Sequence, residues 1–318
     1  MSEDALLAHL AILGQKHLLA GFDSLSSEKK LTFSLQLKKF DAKLLQKQRN
    51  LLLQNKIIAE GFKPLEKYEN AGNADNIRIG EALIASGKVG CIILAGGQGT
   101  RLRSVVADVP KPLAKIGETP FLALLLRQLS AVSYIDKVIL AIGYKGDLIQ
   151  DYFLRRPSSI PLEYSIEREP LGTGGALKQA LSLCSSSDVC VLNGDSFLDL
   201  DFDLFWKRHV EMKADLTLAA IEVAATDRFG TLGLDPTLRV LTFGEKQGRS
   251  RGWINGGIYL MKSDLLVDFP SVFSLENEGF PKLLEQRVFG FQANGSFIDI
   301  GTPESYVEAQ NLDFVSFL

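Results

Sequence analysis

The sequence predicts an α/β protein: a doubly wound mixed sheet preceded by an N-terminal helical extension. Three observations carry that prediction. From Lys88 onward, short apolar runs rich in β-branched residues alternate with helical ones, the rhythm of a parallel sheet with helices on both faces. Up to about Gly61 the apolar residues stand instead at helical spacing. After Asp195 the alternation loosens into strand-like runs with few helices between them, which makes the sheet a mixed one.

In the extension, taken as residues 1–60, Phe33, Leu37, Phe40, Leu44 and Leu51 follow three-and-four spacing, with Lys38, Lys39, Lys43, Lys47 and Arg49 between them. A helical hairpin capped near Ser26 and Ser27 is expected, with its lysine-rich face solvated. Whether it packs on its own domain or makes a homodimer with a second copy is open. Residues 61–87, with Pro64, Gly72 and several Asn, read as a linker and a lead-in helix. The main domain is expected over 88–318, divided into halves 88–200 and 201–318. Strands are read at Val89–Leu94, Lys137–Ile142, Glu163–Ile166 and Val189–Leu192, with helices at Phe121–Leu129, Gly146–Phe153 and Gly175–Leu183 between them. Leu216–Val223, Val240–Phe243, Ile254–Met261 and Phe297–Ile300 read as later strands, and Glu304–Asn311 as a closing helix. In such a sheet a ligand lies in the crevice at the carboxyl ends of the strands.

Composition narrows the function. With 318 residues, 46% hydrophobic and 23% charged, the chain is of globular type, and a net charge of −3 supplies no field for gripping nucleic acid or anionic lipid. An anionic ligand must therefore be held by a local site. Glu3 and Asp4 stand where a secretory signal would be basic, and no apolar run approaches the roughly 20 residues of a membrane span, so a cytoplasmic protein without membrane or nucleic-acid partners is expected. Cys91, Cys184 and Cys190 show no Cys-x-x-Cys spacing and are expected to be buried, inert thiols. Scattered His9, His17 and His209 offer no zinc set.

The turn after the first strand of the main domain carries the chemistry. In Leu94-Ala95-Gly96-Gly97-Gln98-Gly99-Thr100-Arg101-Leu102, glycines remove the Cβ atoms that keep backbone amides away from phosphate, while Thr100 and Arg101 add a hydroxyl and a fixed cation. A dinucleotide site is the competing reading. The spacing is not Gly-x-Gly-x-x-Gly, however, and the basic pair Arg101 and Arg103 follows at once. Ten positions beyond Arg101, Lys111 lies between Pro110 and Pro112 on a stiff, extended segment that places its ammonium on a triphosphate at little ordering cost.

Together with Pro110-Lys111-Pro112-Leu113, this turn resembles the signature of the sugar-phosphate nucleotidyltransferases. The likeness extends over about Lys88 to Asn311, through Glu169-Pro170-Leu171-Gly172-Thr173-Gly174-Gly175-Ala176, Asn193-Gly194-Asp195, Gly244-Glu245-Lys246, Ile254-Asn255-Gly256-Gly257-Ile258-Tyr259 and Phe297-Ile298-Asp299-Ile300-Gly301-Thr302-Pro303. Within the family the chain is most similar to the guanylyltransferases of manno-heptose 1-phosphate and mannose 1-phosphate. The resemblance implies a Rossmann-like fold of the nucleotide-diphospho-sugar transferase type. It also implies transfer of a nucleoside monophosphate from a nucleoside triphosphate to a sugar 1-phosphate, with release of pyrophosphate. Residues from about Lys29 to Leu53, and then Ile79 to Val89, are similar instead to UDP-N-acetylhexosamine pyrophosphorylases. GTP with a manno-configured sugar is thus the favoured pair, and UTP with N-acetylglucosamine 1-phosphate the alternative. A non-catalytic nucleotide-sugar sensor or a regulatory subunit is the alternative of another class.

Roles follow from residue chemistry beside that likeness. Asp195 ends one buried strand and Asp299 lies near the end of another, so the two carboxylates can meet at the crevice, where they suit Mg²⁺; the resemblance implies the same pair of ligands. The attacking sugar phosphate is already an anion, so Arg101, Lys111 and Asp195 are expected to act by positioning and charge neutralisation. Leu94, Ala95, Gly96, Gly97, Gly99, Thr100, Arg101 and Lys111, with the loop Gly172, Thr173 and Gly174, are expected to hold the nucleotide. Glu245, Lys246, Asn255 and Gly256 are expected to hold the sugar phosphate.

Overall fold

The computed structural model describes residues 89–106, 108–224, 226, 229–244, 251–312 and 314. The expected helical extension, its linker and lead-in helix, and Glu245 and Lys246, lie outside the described residues.

The first strand, β1 (Gly90–Leu94), is followed by a glycine-rich turn and a short hairpin of β2 (Lys115–Ile116) and β3 (Thr119–Pro120). Helix α1 (Phe121–Ser130) leads to β4 (Val138–Ile142), α2 (Gly146–Arg155) to β5 (Leu162–Ile166), and α3 (Gly172–Leu181) to β6 (Asp188–Asn193). The chain continues through β7 (Ser196–Leu198), α4 (Phe202–Glu211), β8 (Leu216–Val223), β9 (Thr231–Leu234), β10 (Val240–Gly244) and β11 (Gly252–Lys262). A π-helical turn at Leu275–Gly279 runs into the single turn α5 (Phe280–Lys282), followed by β12 (Val288–Ala293), β13 (Phe297–Asp299) and α6 (Pro303–Gln310).

Nine strands form one sheet, in which hydrogen-bonded neighbours run β10-β9-β11-β6-β1-β4-β5, while β8 pairs β11 and carries β12 on its other side. The pairs among β6, β1, β4 and β5 are parallel, and β11 returns antiparallel to β6. These parallel strands are almost wholly apolar because both faces are covered: every residue of β4 is buried. From β1 the chain steps outward to β4 and β5, then returns to β6 on the opposite flank of β1. Strand order therefore reverses at β1, and the crevice between the carboxyl ends of β1 and β6 is the switch point at which such sheets bind ligands.

Each face of the sheet has its own core. Phe121 and Leu125 of α1, with Phe205 and Trp206 of α4, cover one face; Leu177 and Ala180 of α3, with Phe273 and Phe280, cover the other. Each fully buried side chain of this size stabilises by roughly 1.5–3 kcal/mol, so the strand ends at the crevice rest on rigid support. Burial pushes the thiol of Cys184 up to about 11 and raises that of Cys91, which keeps both as unreactive thiols near neutrality.

Sequence reading misses the β2–β3 hairpin, the short strands β7 and β9, helix α4, the single turn α5 and strand β12. Helix α4 is legible: Phe202, Phe205, Trp206 and His209 are buried at i, i+3, i+4 and i+7, and the Asp201 carboxylate accepts the Leu204 N–H at 2.9 Å as a cap. Strand β12 offers no such signal, because Val288-Phe289-Gly290-Phe291-Gln292-Ala293 acquires its ladder from the distant strand β8.

At the end of β6 remote from the crevice, a buried polar cluster closes the core. Asp188 accepts from His209 Nε2 at 3.2 Å, Lys262 Nζ at 2.7 Å and Ser187 Oγ at 2.8 Å, and His209 Nδ1 lies 2.7 Å from the Thr217 hydroxyl. Burial pushes the Asp188 carboxyl up, but the bonds from His209, Lys262 and Ser187 outweigh it and hold the group below the usual carboxylate range. A depressed folded-state pKa stabilises fully above the ordinary value of 3.8, and that contribution is lost as pH falls below it. Asp188→Asn is expected to cost about 2–3 kcal/mol at pH 7 in urea unfolding, and to flatten the loss of stability below pH 4 expected of the parent protein.

Candidate active site

The last residues of β1 and β6 are register partners, Leu94 with Asn193, so the turns that follow them leave the sheet side by side. Gly194 shows how close they come: a Cβ there would lie 2.6 Å from the Leu94 carbonyl. A cleft of about 640 Å³ opens between these turns, and every residue from Leu94 to Arg101 lines it, together with Lys111, Gly172, Thr173, Asn193 and Asp195.

Two glycines of the first turn are required for different reasons. Gly99 has φ +57° and seats the turn on Lys111, whose Cβ would be 3.0 Å from any Cβ added there. At Gly96 an added Cβ would lie 2.3 Å from Glu167 Oε1 and 3.1 Å from the Gly143 nitrogen. Gly97 faces open space, with nothing within 4 Å of its Cβ position, which leaves its backbone accessible to a ligand. Thr100 and Arg101 follow in a 3₁₀ turn, both exposed to the cleft.

Pro110 adopts extended backbone and delivers Lys111 into a second 3₁₀ turn. The Lys111 side chain is only 12% exposed, and its Nζ lies 2.5 Å from Asp195 Oδ2. The cation expected on a triphosphate thus stands against the carboxylate expected to hold a metal. Asp299 does not itself line the cleft but lies beside it: β13 pairs antiparallel with β7 and sets Asp299 opposite Ser196, the residue after Asp195, and Gly301, next to its carboxylate, is a cleft residue. Ile300 N–H donates to the Asp195 carbonyl at 2.9 Å and Gly301 N–H to Asp299 Oδ1 at 2.9 Å, so both aspartates are fixed by backbone. Among the described residues no group of three or more His, Cys, Asp or Glu side chains could hold a metal ion. Two carboxylates beside an anion cradle fit an ion that takes its remaining ligands from phosphate oxygens and water, as Mg²⁺ does.

The structure reassigns several expected contacts. Gly174 is buried and does not line the cleft: a Cβ there would enter the Phe273 ring at 2.2 Å, and its N–H donates to the Phe273 carbonyl at 3.0 Å. Packing, not a nucleotide, requires that glycine. Gly172 keeps its place at the cleft with φ +72°. Thr173 lines the cleft too, but its hydroxyl donates to Glu276 Oε2 at 2.6 Å and accepts the Leu275 N–H at 2.9 Å. Gly256 is a packing glycine as well, since a Cβ would lie 2.9 Å from Ile221 Cδ1 and 3.0 Å from the Ala219 carbonyl oxygen. Asn255 is turned inward: its Oδ1 accepts the Gly257 N–H at 2.9 Å and its Nδ2 donates to the Tyr259 hydroxyl at 2.8 Å.

Cleft residues that escape sequence reading include Asn193 as a side chain, Tyr144, Glu167, Arg168 and Glu276. Glu167 carries a signal, because it follows directly on β5 and so stands at a strand's carboxyl end. It is half-buried, its Oε2 accepts the Leu171 N–H at 3.1 Å, and Oε1 faces Gly96 and Gly143. Burial pushes its carboxyl up and the Leu171 amide partly opposes that rise. Tyr144 closes the same wall, with the Arg103 guanidinium 4.9 Å from its ring centre.

Comparison with known proteins supports the chemistry of the cleft. Residues 90–314 match the family described as nucleotidyl transferase. D-glycero-alpha-D-manno-heptose 1-phosphate guanylyltransferase of Aneurinibacillus thermoaerophilus is 42% identical over 222 residues, covering 69% of this chain and 96% of the relative. Mannose-1-phosphate guanylyltransferase of Mycobacterium tuberculosis is 32% identical over 231 residues, covering 70% of this chain and 64% of that enzyme. Among solved structures, HddC from Yersinia pseudotuberculosis complexed with GMP-PN superposes with a TM-score of 0.64 at 37% identity, covering 70% of this chain and 98% of HddC. UDP-glucose pyrophosphorylase complexed with UDP-glucose, at 17% identity and a TM-score of 0.60, shares the fold.

Proposed function

The chain belongs to the nucleotidyl transferase family, and from that premise we propose that it transfers GMP from GTP to a manno-configured sugar 1-phosphate, of heptose or mannose type, releasing pyrophosphate. The observation that carries this reading is the convergence of the Gly96–Arg101 turn, Lys111 and Asp195 on one cleft at the switch point of the sheet. A sugar-phosphate oxygen attacks the α-phosphorus in line, forming one P–O bond as the bond to the β-phosphate oxygen breaks. The nucleophile is an anion already, so no residue needs to remove a proton from it.

Arg101 and Lys111 neutralise the triphosphate, and the amides of the Gly97 region approach its oxygens. Asp195 and Asp299 are the residues that would hold Mg²⁺, which supplies further charge neutralisation at the reacting phosphates. Glu245 and Lys246 directly follow β10 and, with Asn255, serve the sugar 1-phosphate. Choice of guanine is supported by the similar guanylyltransferases and by Glu167. A carboxylate accepts from both N1–H and N2–H₂ of guanine, whereas uracil offers it only N3–H, flanked by two carbonyl oxygens. No helix among the described residues is long and apolar enough to cross a membrane; a cytoplasmic site of action fits these substrates.

Purified protein with Mg²⁺, offered GTP, UTP or dTTP against mannose, manno-heptose or N-acetylglucosamine 1-phosphate, tests the proposal. Pyrophosphate release is expected to be fastest with GTP and a manno-configured sugar. Release with UTP and N-acetylglucosamine 1-phosphate alone would replace both substrates, and no release with any pair would leave only a binding role.

A further inference from the structure

Strand β11 changes partner in mid-course. Its first residues pair with β9, and from Ile258 onward it pairs with β6; β8 accompanies it on the other side, with a register break between Asn255 and Tyr259. The Gly256-Gly257 step lies in that break. Gly257 has φ +76°, and a Cβ there would lie 3.2 Å from Asn193 Nδ2 and 3.3 Å from Ser196 Cβ. The bulge is therefore pressed against the end of β6, two residues from Asp195.

At the centre stands Tyr259, fully buried, its ring edge-on to Phe280 at 5.1 Å between centres. Its hydroxyl receives Asn255 Nδ2 at 2.8 Å from its own strand and Asn193 Nδ2 at 3.3 Å from the neighbouring one. Burial raises the tyrosine pKa far above neutrality, so the hydroxyl stays a neutral acceptor of fixed direction. Both lone pairs are taken, and each amide can turn over only by breaking its bond to a fully buried hydroxyl. In Asn255 the carbonyl is already held by the Gly257 N–H, which leaves one Nδ2 proton for an incoming oxygen. Asn193 lines the cleft with its amide nitrogen tied in the same way.

We propose that Tyr259 is a positioning residue for the sugar 1-phosphate: its hydroxyl locks the amides of Asn255 and Asn193 together and so sets the sugar-phosphate floor against the Asp195 end of the cleft. The proposal rests on the reading of this site as a guanylyltransferase. It assigns Tyr259 no contact with substrate. Its effect runs through the two asparagines, and it should fall on the sugar phosphate and spare GTP, whose cradle is built from β1 and its turn.

Tyr259→Phe removes only the hydroxyl. The variant is expected to raise KM for the sugar 1-phosphate about tenfold, with KM for GTP within twofold of the parent and the GTP-binding stoichiometry unchanged. A merely structural loss would lower the active fraction and leave both KM values alone. Asn255→Ala and the double variant close the cycle: if Tyr259 acts through Asn255, adding Tyr259→Phe to Asn255→Ala raises KM no more than about twofold further. A parent enzyme that turns over while Tyr259→Phe matches it in sugar-phosphate KM overturns this proposal alone, as do effects that multiply in the double variant. A parent that releases no pyrophosphate overturns the reading of the site and this proposal with it.

Discussion

Asp195→Asn is expected to lower kcat for pyrophosphate release about 1,000-fold while leaving the fold in place, the scale on which a preorganised electrostatic group matters. The reason lies in the 2.5 Å contact between Lys111 Nζ and Asp195 Oδ2. An amide of the same shape keeps the packing but removes the charge that orients Lys111 and that would hold a divalent cation. Stability should move little, because the Asp195 side chain is 37% exposed and its backbone bond to Ile300 is unaffected. Steady-state kinetics beside thermal unfolding checks both halves. Full activity would remove Asp195 from the reacting centre, and a collapsed melting transition would make it a structural residue.

Glu167→Gln is expected to reduce kcat/KM for GTP about 100-fold, with UTP turnover far less affected. A charged acceptor is worth up to about 3 kcal/mol when its partner would otherwise be left unpaired, and a glutamine offers one oxygen where guanine presents two donors. The pH profile supplies an independent check. Burial raises the Glu167 pKa, and only its ionised form accepts both guanine donors. In the parent, KM for GTP should therefore climb as pH falls toward that raised value, and in Glu167→Gln the climb should vanish. A GTP preference untouched by the substitution would place base recognition elsewhere on the cleft wall.

Much of the site is legible in short stretches of sequence. Gly-rich spacing after an apolar strand, and a lysine between two prolines ten residues beyond Arg101, are local features, and the structure sets both at the cleft. The approach of Asp195 to Asp299 is only partly legible: Asp195 lies in the turn between β6 and β7, and it is the pairing of β13 with β7 that brings Asp299 opposite the next residue, Ser196. Roles given to glycines fare differently. Gly96, Gly99, Gly174 and Gly256 are indistinguishable in sequence, yet the first two shape the cleft and the last two admit Phe273 and β8. A missing Cβ says that something comes close, not what it is. Polar side chains pose the same problem, since the Thr173 hydroxyl is engaged by Glu276 and one amide N–H of Asn255 by Tyr259.

The alternation of strands and helices, the buried parallel centre, the phosphate-type turn and the family are all written in the amino-acid sequence, because each depends on residues close together in the chain. Only the folded chain makes β1 the switch point, brings Lys111 to Asp195 across 84 residues, sets Glu167 under Gly96, and joins Asn193 to Asn255 through one buried hydroxyl. Those contacts exist only once β6 returns beside β1 and β11 folds back along β6. Pairing between distant strands follows from how the whole core packs, and no local pattern encodes it.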